Sequence, residues 1–240
     1  MNKDDFEEWL SLSSVVIVRE ANIGFPDKCG VGCLIDYRAH RVFLTAAHVT
    51  NDKRHWSIQL AYIAGKGTIL HPLGAMNFLV KARIGEDTID DVDLSYVQVP
   101  GAILPFRQQI DVGSKTILRE APITIHTPSL QETPQAGEKY GFCGLILPER
   151  EDHFGDAYLS GDLRVYSGLS FLRTKGDFHI FSLPFKHPGH KHFKGCSGAP
   201  VVGTDGSVVG LVCSGDEDKN EIWAVSLAYY KTAIDILVCS

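Results

Sequence analysis

The chain has 240 residues, of which 44% are hydrophobic and 22% are charged, so it can bury a substantial core. Its formal net charge of -6 argues against a general nucleic-acid-binding role, which normally requires a basic patch or tail. No apolar stretch reaches membrane-spanning length, and the acidic start of the chain lacks the cationic and apolar regions of a secretory signal. We therefore expect a cytoplasmic protein with no membrane or nucleic-acid partner.

Six cysteines are scattered along the chain, mainly in apolar or strand-like surroundings. Cysteine in such surroundings behaves as a small hydrophobic residue, so we expect free thiols, in keeping with a cytoplasmic location. Cys29 and Cys33 could supply half of a metal site, but no second cysteine pair at finger-like spacing accompanies them. The sequence therefore predicts neither a metal nor a cofactor.

The first predicted element is a short amphipathic helix over residues 3–12, with Phe6, Trp9 and Leu10 on one face. After residue 13 the pattern changes to short strand-like runs separated by turn residues, which favours a sandwich or a barrel. We place these strands at 15–18, 30–36, 41–47, 57–63, 78–84 and 94–99.

Prolines and glycines are frequent over residues 100–137, which indicates a connecting segment with room for one strand. Residues 228–238 have helical spacing at the end of the chain. Between these two segments lies a second group of strand-like runs, at 141–146, 162–174, 177–183, 207–213 and 222–226. No internal sequence repeat relates the two groups of strands.

The segment 195–200 reads Gly-Cys-Ser-Gly-Ala-Pro and matches the pattern G-x-S-G-x-P. Glycines on both sides of the serine allow a sharp turn that projects the hydroxyl, while the N–H groups of Gly195 and Ser197 converge on one point. An acyl-transfer nucleophile with an oxyanion hole needs this geometry. Because a serine hydroxyl is a poor nucleophile by itself, the interpretation requires a base and a group that orients the base.

The candidate base is His48, which follows an apolar run rich in strand formers at 42–47. The candidate orienting group is Asp93, at the head of the apolar run 94–99. A carboxylate there could accept the second ring proton of His48 and select its tautomer. Three other aspartates close in sequence are alternatives for this role: Asp87, Asp90 and Asp91.

The chain order His, Asp, Ser is that of chymotrypsin-like proteases and differs from that of subtilisins and α/β-hydrolases. The segments 45–48, 93–97 and 195–200 resemble the three signature blocks of the trypsin-like serine protease superfamily. With flanking segments that are similar to the family's framework strands, the resemblance spans residues 14–238. Within the superfamily the chain is most similar to the bacterial, disulfide-free branch that includes the high-temperature-requirement proteases and the glutamyl endopeptidases.

The resemblance implies an all-β fold of two six-stranded antiparallel β-barrels, with a short N-terminal helix and a C-terminal helix. We predict an N-terminal helical extension at 1–13 and a first barrel at 14–110, which carries the histidine and the aspartate. The second barrel is predicted at 111–240, with the serine and the C-terminal helix.

The resemblance also implies a serine endopeptidase that hydrolyses peptide bonds through an acyl-enzyme, with His48, Asp93 and Ser197 as its catalytic triad. The N–H groups of Gly195 and Ser197 would hold the oxyanion. A cytoplasmic protease must avoid indiscriminate digestion, so we expect narrow specificity for its polypeptide substrate or control by a regulatory protein partner.

The family resemblance also places a substrate pocket. Its wall is implied to be a segment after the serine whose backbone pairs with an extended substrate: Cys213, Ser214 and Gly215. Its base is implied to be 189–194, which is cationic and contains no aspartate. Lys191 and His192 therefore predict a preference for Glu or Asp at the cleaved position. The alternative is that 189–194 is a solvated loop without a role in recognition.

Two other chemistries are possible next to the serine. Cys196 is a potential nucleophile, but it occupies position x of the motif and not the serine's position, so Ser197 remains the predicted nucleophile. A cysteine at x also implies that activation by a newly formed N-terminus is not needed. Three histidines could bind zinc, although no fourth ligand is evident: His187, His190 and His192.

Two alternative functions remain open. The chain could be a catalytically silent binding module that holds a partner peptide on its sheet edges, but such a module has no physical need for a His, Asp and Ser set. It could also hydrolyse small acyl esters, but it lacks the G-x-S-x-G nucleophile elbow. We therefore favour the endopeptidase.

Overall fold

A computed structural model describes most of the chain. The described residues are 2–22, 25–52, 54–64, 66–82, 89–111, 114, 116–153 and 156–239. Within them the chain is mostly β-strand, with one helix near each end and two single helical turns. The predicted all-β fold class is therefore confirmed.

The N-terminal β unit is an antiparallel sheet of seven strands in the described residues. Their hydrogen-bonded order is β5-β4-β1-β2-β3-β7-β6. The strands are β1 (Val15–Asn22), β2 (Phe25–Tyr37), β3 (His40–Thr45), β4 (Trp56–Ile63), β5 (Gly67–Pro72), β6 (Asn77–Ala82) and β7 (Ile89–Val99). The predicted strand 78–84 corresponds to β6, and its last two residues lie outside the described residues.

The sequence predicts six strands for this unit, and the seventh is β5. The Lys66 N–H donates to the Ile63 carbonyl over 2.9 Å, and Gly67 takes a positive φ of 86°. This tight turn reverses the chain, so β5 pairs back on β4 as an edge hairpin. The sequence thus predicts a six-stranded barrel for this unit. In the described part of the chain, the structure has a seven-stranded sheet with β5 at one edge and β6 at the other.

The C-terminal β unit is a closed barrel of six strands, as predicted. The hydrogen-bonded order is β10-β11-β12-β15-β14-β13. The strands are β10 (Lys139–His153), β11 (Asp156–Lys175), β12 (Phe178–Ser182), β13 (Pro200–Gly203), β14 (Val208–Asp216) and β15 (Glu221–Ser226).

The connecting segment contains two strands where the sequence predicts one. These strands, β8 (Phe106–Asp111) and β9 (Thr116–Pro122), pair as an antiparallel hairpin. At its turn the Ser114 hydroxyl donates to the Asp111 carboxylate over 2.6 Å. The breaker residues of this segment therefore enclose a hairpin.

The N-terminal helix, α1 (Lys3–Ser11), is confirmed. The Asn2 side chain caps it by accepting a hydrogen bond from the Asp5 N–H over 2.9 Å. Phe6 and Leu10 are buried, and Leu10 packs closely over the backbone of Gly141 in β10. The helix therefore covers the C-terminal barrel.

The C-terminal helix, α4 (Lys231–Cys239), is confirmed as well. Its buried residues are Ile234 and Val238. The Tyr37 hydroxyl of β2 donates to Asp235 of this helix over 2.7 Å, so the end of the chain packs against the N-terminal sheet. Among the helices of the described ranges, none is long and apolar enough to cross a membrane.

One buried cluster joins the two β units. Phe43 and Leu44 of β3 belong to the same apolar cluster as Leu211 of β14 and Val225 of β15. The N-terminal sheet and the second barrel therefore share one apolar core. The division into 1–13, 14–110 and 111–240 stays a prediction.

Candidate active site

The histidine turn begins where β3 ends. A single helical turn, α2 (Ala47–Thr50), follows Ala46, whose carbonyl accepts from the Val49 N–H over 3.1 Å. The His48 side chain on this turn is 47% exposed and faces β7. The structure thus places His48 on a turn directly after a strand, with its imidazole partly exposed.

Asp93 of β7 holds both the backbone and the ring of His48. Its Oδ1 accepts from the His48 N–H over 3.0 Å, and both carboxylate oxygens lie 2.9 Å from Nδ1. A carboxylate can only accept, so Nδ1 carries a proton and a neutral ring has a free lone pair on Nε2. The pair thus presents a potential base at Nε2.

A second side-chain pair fixes α2 on β7. The Thr50 and Ser95 hydroxyl oxygens lie 2.8 Å apart, and both residues are buried. Thr50 follows His48 by two positions, and Ser95 follows Asp93 by two positions. Because two contacts join the same two elements, the imidazole and the carboxylate are held in register.

The serine turn is held by the strand that follows it. The Gly198 N–H donates to the Val212 carbonyl over 2.7 Å, and the Val212 N–H donates to the Ala199 carbonyl over 2.8 Å. Gly198 has a φ of 92°, and a Cβ atom there would lie 2.2 Å from both Thr45 Oγ1 and the Val31 carbonyl oxygen. Only glycine fits, and the serine turn therefore docks against the end of β3, next to the histidine turn.

A cavity of about 340 Å³ brings the three motifs together. His48 and Ser197 both line it, and Asp93 lies behind the imidazole. The structure records no hydrogen bond between the Ser197 hydroxyl and a side chain of the described residues. The serine and the histidine therefore face one cavity.

Three of the five predicted pocket residues line the cavity, and two do not. Cys213, Ser214 and Gly215 all line the cavity. Lys191 is exposed and outside the lining, and His192 Nε2 lies 2.8 Å from the Tyr166 hydroxyl and also outside it. Four residues with basic side chains line the cavity: Lys28, His187, His190 and Lys194. The last two belong to the predicted base segment 189–194, whereas the first two lie outside it.

The orientation of one helical turn explains this difference. The turn α3 (His190–Phe193) is anchored by Phe193, whose buried ring lies 4.9 Å from the ring of Tyr166. Lys191 is two residues earlier and so lies on nearly the opposite side of the turn. Nothing in the local sequence shows which side faces the cavity, and Lys28 comes from β2, far away in the chain.

Acidic residues lie next to the cavity. An open depression shares His190, Ser214 and Gly215 with it. The depression is also lined by three consecutive acidic residues: Asp216, Glu217 and Asp218. The cavity itself is lined by no carboxylate of the described residues. Its lining side chains therefore carry a net positive charge, whereas those of the depression carry a net negative charge.

Cys196 is a buried structural residue. Its Sγ is 3.5 Å from the Leu145 carbonyl oxygen, and a Cβ on Gly144 would lie 2.4 Å from it. Burial raises the pKa of the Cys196 thiol, and a neutral, inaccessible thiol is a poor nucleophile. All six cysteines are free in the structure.

We expect iodoacetamide at about pH 8 to modify the exposed Cys239 in the native protein and to leave Cys196 unmodified, because thiolate character and access both limit alkylation. Peptide mapping by mass spectrometry measures this at each site. Unfolded protein is the control, in which both thiols should react. Alkylation of both at equal rates in the native protein would contradict the buried position.

The three histidines do not converge on a metal. The rings of His187 and His190 lie 5.5 Å apart, whereas His192 turns towards Tyr166. Across the described ranges, no group of three or more His, Cys, Asp or Glu residues is arranged to hold a metal ion. The zinc alternative therefore has no support from side-chain geometry.

Comparisons at the level of sequence give no match, either with models of known protein families or with curated proteins.

Comparison with solved structures gives clear matches. Human heparin binding protein is 15% identical at a TM-score of 0.58, covering 98% of this chain and 94% of that chain. A serine endoprotease from Yersinia pestis is 14% identical at a TM-score of 0.57, covering 100% of this chain and 68% of that chain. Granzyme C is 11% identical at a TM-score of 0.57, covering 96% and 95%. The chain thus has the fold of the trypsin-like serine proteases.

Proposed function

We propose that this chain is a serine endopeptidase whose catalytic triad is His48, Asp93 and Ser197. The observation that carries the proposal is the carboxylate of Asp93, which holds the backbone and Nδ1 of His48 while the ring and Ser197 line one cavity. A binding module has no need to orient a histidine in this way. The same geometry is what a general base beside a serine nucleophile requires.

The reaction proceeds through an acyl-enzyme. The Ser197 hydroxyl attacks the substrate carbonyl, and His48 Nε2 takes its proton and gives it to the leaving amine. Water then attacks the acyl-enzyme with the same base. Asp93 keeps Nδ1 protonated and stabilises the imidazolium that forms in each step.

The backbone of the serine turn supports an oxyanion hole at Gly195 and Ser197. The intervening Cys196 N–H is directed away, because it donates to the Phe193 carbonyl over 2.9 Å. The Ser197 N–H donates to no backbone acceptor in the described residues. Gly195 forms an antiparallel bridge with Leu145, which fixes the backbone of the turn on β10. Such preorganised donors stabilise the charge of a tetrahedral intermediate.

An extended polypeptide is the substrate that suits the edge of β14. The pairing of β13 with β14 ends at Leu211, and beyond it Ser214 and Gly215 pair with β15 on their other side. The backbone of 213–215 therefore presents an edge beside the cavity, on which a substrate strand can add. We propose that the cavity prefers an acidic side chain through Lys28 and Lys194, with no role for Lys191.

A fluorophosphonate probe tests the proposed nucleophile, since it reacts with a serine that an assembled active site activates. We expect labelling of the wild-type chain at Ser197 and none in Ser197→Ala or His48→Ala. Intact-protein mass spectrometry measures the adduct, and Ser114→Ala, an exposed serine in the β8 to β9 turn, is the matched control that keeps it. An unlabelled wild type that is folded, or a labelled Ser197→Ala, would contradict the proposal.

A silent binding module is the second candidate. It is favoured by the likeness to human heparin binding protein, whose name describes a binding role. Heparin is a polyanion, and the formal net charge of -6 does not favour such a ligand here. A folded wild-type chain without labelling would support this candidate.

A further inference from the structure

Asp93 lies at a point where β7 is paired with neither β3 nor β6. Pairing with β3 ends at Ser95. Pairing with β6 is interrupted between Ser95 and Asp91, which are four positions apart on β7. Their partners on β6, Phe78 and Val80, are only two positions apart. The intervening residues of β7 therefore form a bulge, a feature that re-aims side chains next to active sites, and ladder hydrogen bonds do not fix the Asp93 carboxylate.

The two ends of this bulge are held by different parts of the molecule. At the inner end, Ser95 pairs with Thr45 of β3, and its hydroxyl oxygen lies 2.8 Å from that of Thr50. At the outer end, Asp90 pairs in register with Lys81 of β6. Within the described residues β6 is an edge strand of the N-terminal sheet. The outer end of the bulge is therefore only as well fixed as β6 itself.

Burial holds β6 only in part. Leu79 packs against the apolar core, whereas Phe78 and Val80 are 46% and 65% exposed. A charged contact supplies a further attachment, because Lys81 Nζ lies 3.4 Å from Oδ1 of Asp177. Asp177 belongs to the turn between β11 and β12. The ion pair thus ties β6 to the β unit that carries the serine turn.

Asp177 is itself firmly held. It is 7% exposed, and its backbone carbonyl accepts from the Ser226 N–H over 2.8 Å. Its Oδ2 accepts a hydrogen bond from the hydroxyl of Tyr230, which is also buried. The Lys81 ammonium lies 5.9 Å from the ring centre of Tyr229 as well. A buried carboxylate needs a cation and hydrogen bonds to offset its desolvation, so Asp177 holds Lys81 in place.

A buried thiol links Asp177 to Asp93 electrostatically. Burial raises the pKa of the Cys213 thiol, and the charges of Asp93 and Asp177 act in the same direction. Both carboxylates therefore lie within electrostatic range of one buried side chain. Since like charges repel more strongly where water is excluded, the Lys81 ammonium offsets the charge of Asp177 as well as holding β6.

We propose that Asp177 is a positioning residue of the proposed triad, which keeps Asp93 aligned with His48 through Lys81 and β6. The inference rests on the proposed function where it concerns catalysis. Without the Asp177 contact the outer end of the bulge is released, and the Asp93 carboxylate faces Nδ1 of the imidazole for less of the time. Asp177 thus couples the orienting group in one β unit to the nucleophile in the other.

Lys81→Met tests this link, because methionine keeps most of the hydrocarbon chain of lysine and lacks its charge. We expect the rate of fluorophosphonate labelling to fall about 10- to 100-fold, since a displacement of about 1 Å caused from a distance can cost about 100-fold. Lys81→Arg restores a cation and should recover most of the rate. Lys81 is half-buried, so its replacement tests the link even if a variant of the buried Asp177 fails to fold.

Asp177→Asn removes the other side of the same contact. We expect it to slow labelling as Lys81→Met does, and the double variant to lose no more than either single variant. Losses that simply multiply in the double variant would contradict a shared contact.

Lys231→Met is the matched control. Lys231 Nζ also lies over a tyrosine ring, 5.8 Å from the centre of Tyr37, and donates to the Asp235 carboxylate over 2.5 Å. This second set of residues joins α4 to β2 and not to β6. We expect Lys231→Met to keep the wild-type labelling rate, with thermal melts that show a similar change of stability for the two lysine-to-methionine variants.

A second measurement does not depend on catalysis. Two-bond ¹⁵N–¹H correlation spectra of protein labelled with ¹⁵N-histidine show which ring nitrogen carries the proton, and His48→Ala assigns the signals. At about pH 9, where imidazole is neutral, we expect the proton of wild-type His48 on Nδ1, because the carboxylate contact selects the tautomer. In Lys81→Met a larger share of the rings should carry it on Nε2, whereas Lys231→Met should match the wild type.

The outcomes separate the two proposals. An unchanged labelling rate or an unchanged His48 tautomer in Lys81→Met would overturn the role of Asp177 and leave the peptidase standing. So would equal losses in Lys231→Met, or a failure of Lys81→Arg to recover the rate. A folded wild type without labelling would overturn the peptidase, and the tautomer alone would then decide: a shift to Nε2 in Lys81→Met keeps the role of Asp177, and an unchanged ring overturns it.

Discussion

Asp93→Asn is expected to lower kcat of the proposed peptidase about 10⁴-fold, which is the effect of the equivalent change in the Ser-His-Asp triad of a serine protease. The melting temperature should stay unchanged. An asparagine can donate its amide N–H to His48 Nδ1, which stabilises the tautomer that has its proton on Nε2. That tautomer cannot take the proton of Ser197. Because Asn Oδ1 can still accept from the His48 N–H, the turn should remain in place.

The measurement is steady-state hydrolysis of a peptide cut by the wild-type chain, with a thermal melt of each variant. Asp91→Asn is the matched control, since Asp91 is exposed and pairs in register with Val80 on β6. Asp90 lies opposite Lys81 on the same pair of strands, and Asp87 lies outside the described residues. Full activity of Asp93→Asn would move the orienting role to one of these aspartates.

Gly198→Ala is expected to lower the free energy of unfolding by about 2–5 kcal/mol and to abolish fluorophosphonate labelling. Two effects add. The φ of 92° is unfavourable for alanine, and its Cβ would lie 2.2 Å from Thr45 Oγ1 and from the Val31 carbonyl oxygen. Since the second atom belongs to the backbone of β2, the serine turn must move away from the histidine turn.

Urea unfolding followed by fluorescence measures the change, because the chain contains three tryptophans. Gly206→Ala is the control, since Gly206 has a similar φ of 86° but nothing within 4 Å of the added Cβ. We expect it to lose only about 1 kcal/mol, through backbone strain without a clash. An equal loss in the two variants would show that the contact of Gly198 with β2 and β3 contributes nothing.

Motifs with a local physical meaning could be predicted from the sequence. Gly198 beside Ser197 indicates a tight turn, and the run before His48 indicates a strand that ends at an accessible residue. The spacing of Phe6 and Leu10 indicates one buried helix face. All three follow from properties of neighbouring residues, and the structure contains the turn, the strand and the helix.

Strand pairing was predictable only in part. The five runs predicted for the C-terminal barrel correspond to strands. The sixth barrel strand, β13, was not predicted as a separate run, and β5 and the hairpin of β8 and β9 were not separated from the turns around them. β5 consists of half-buried and exposed residues and contains no buried residue. Its pairing depends on the turn at Gly67, which sequence patterns of hydrophobicity do not contain.

The residue types of the candidate site could be predicted from local patterns: a serine flanked by glycines, a histidine after a strand and an aspartate at the head of an apolar run. Which basic side chains line the cavity depends instead on how distant segments pack. The burial of Phe193 orients its helical turn so that Lys191 lies outside, while β2 brings Lys28 in from far along the chain.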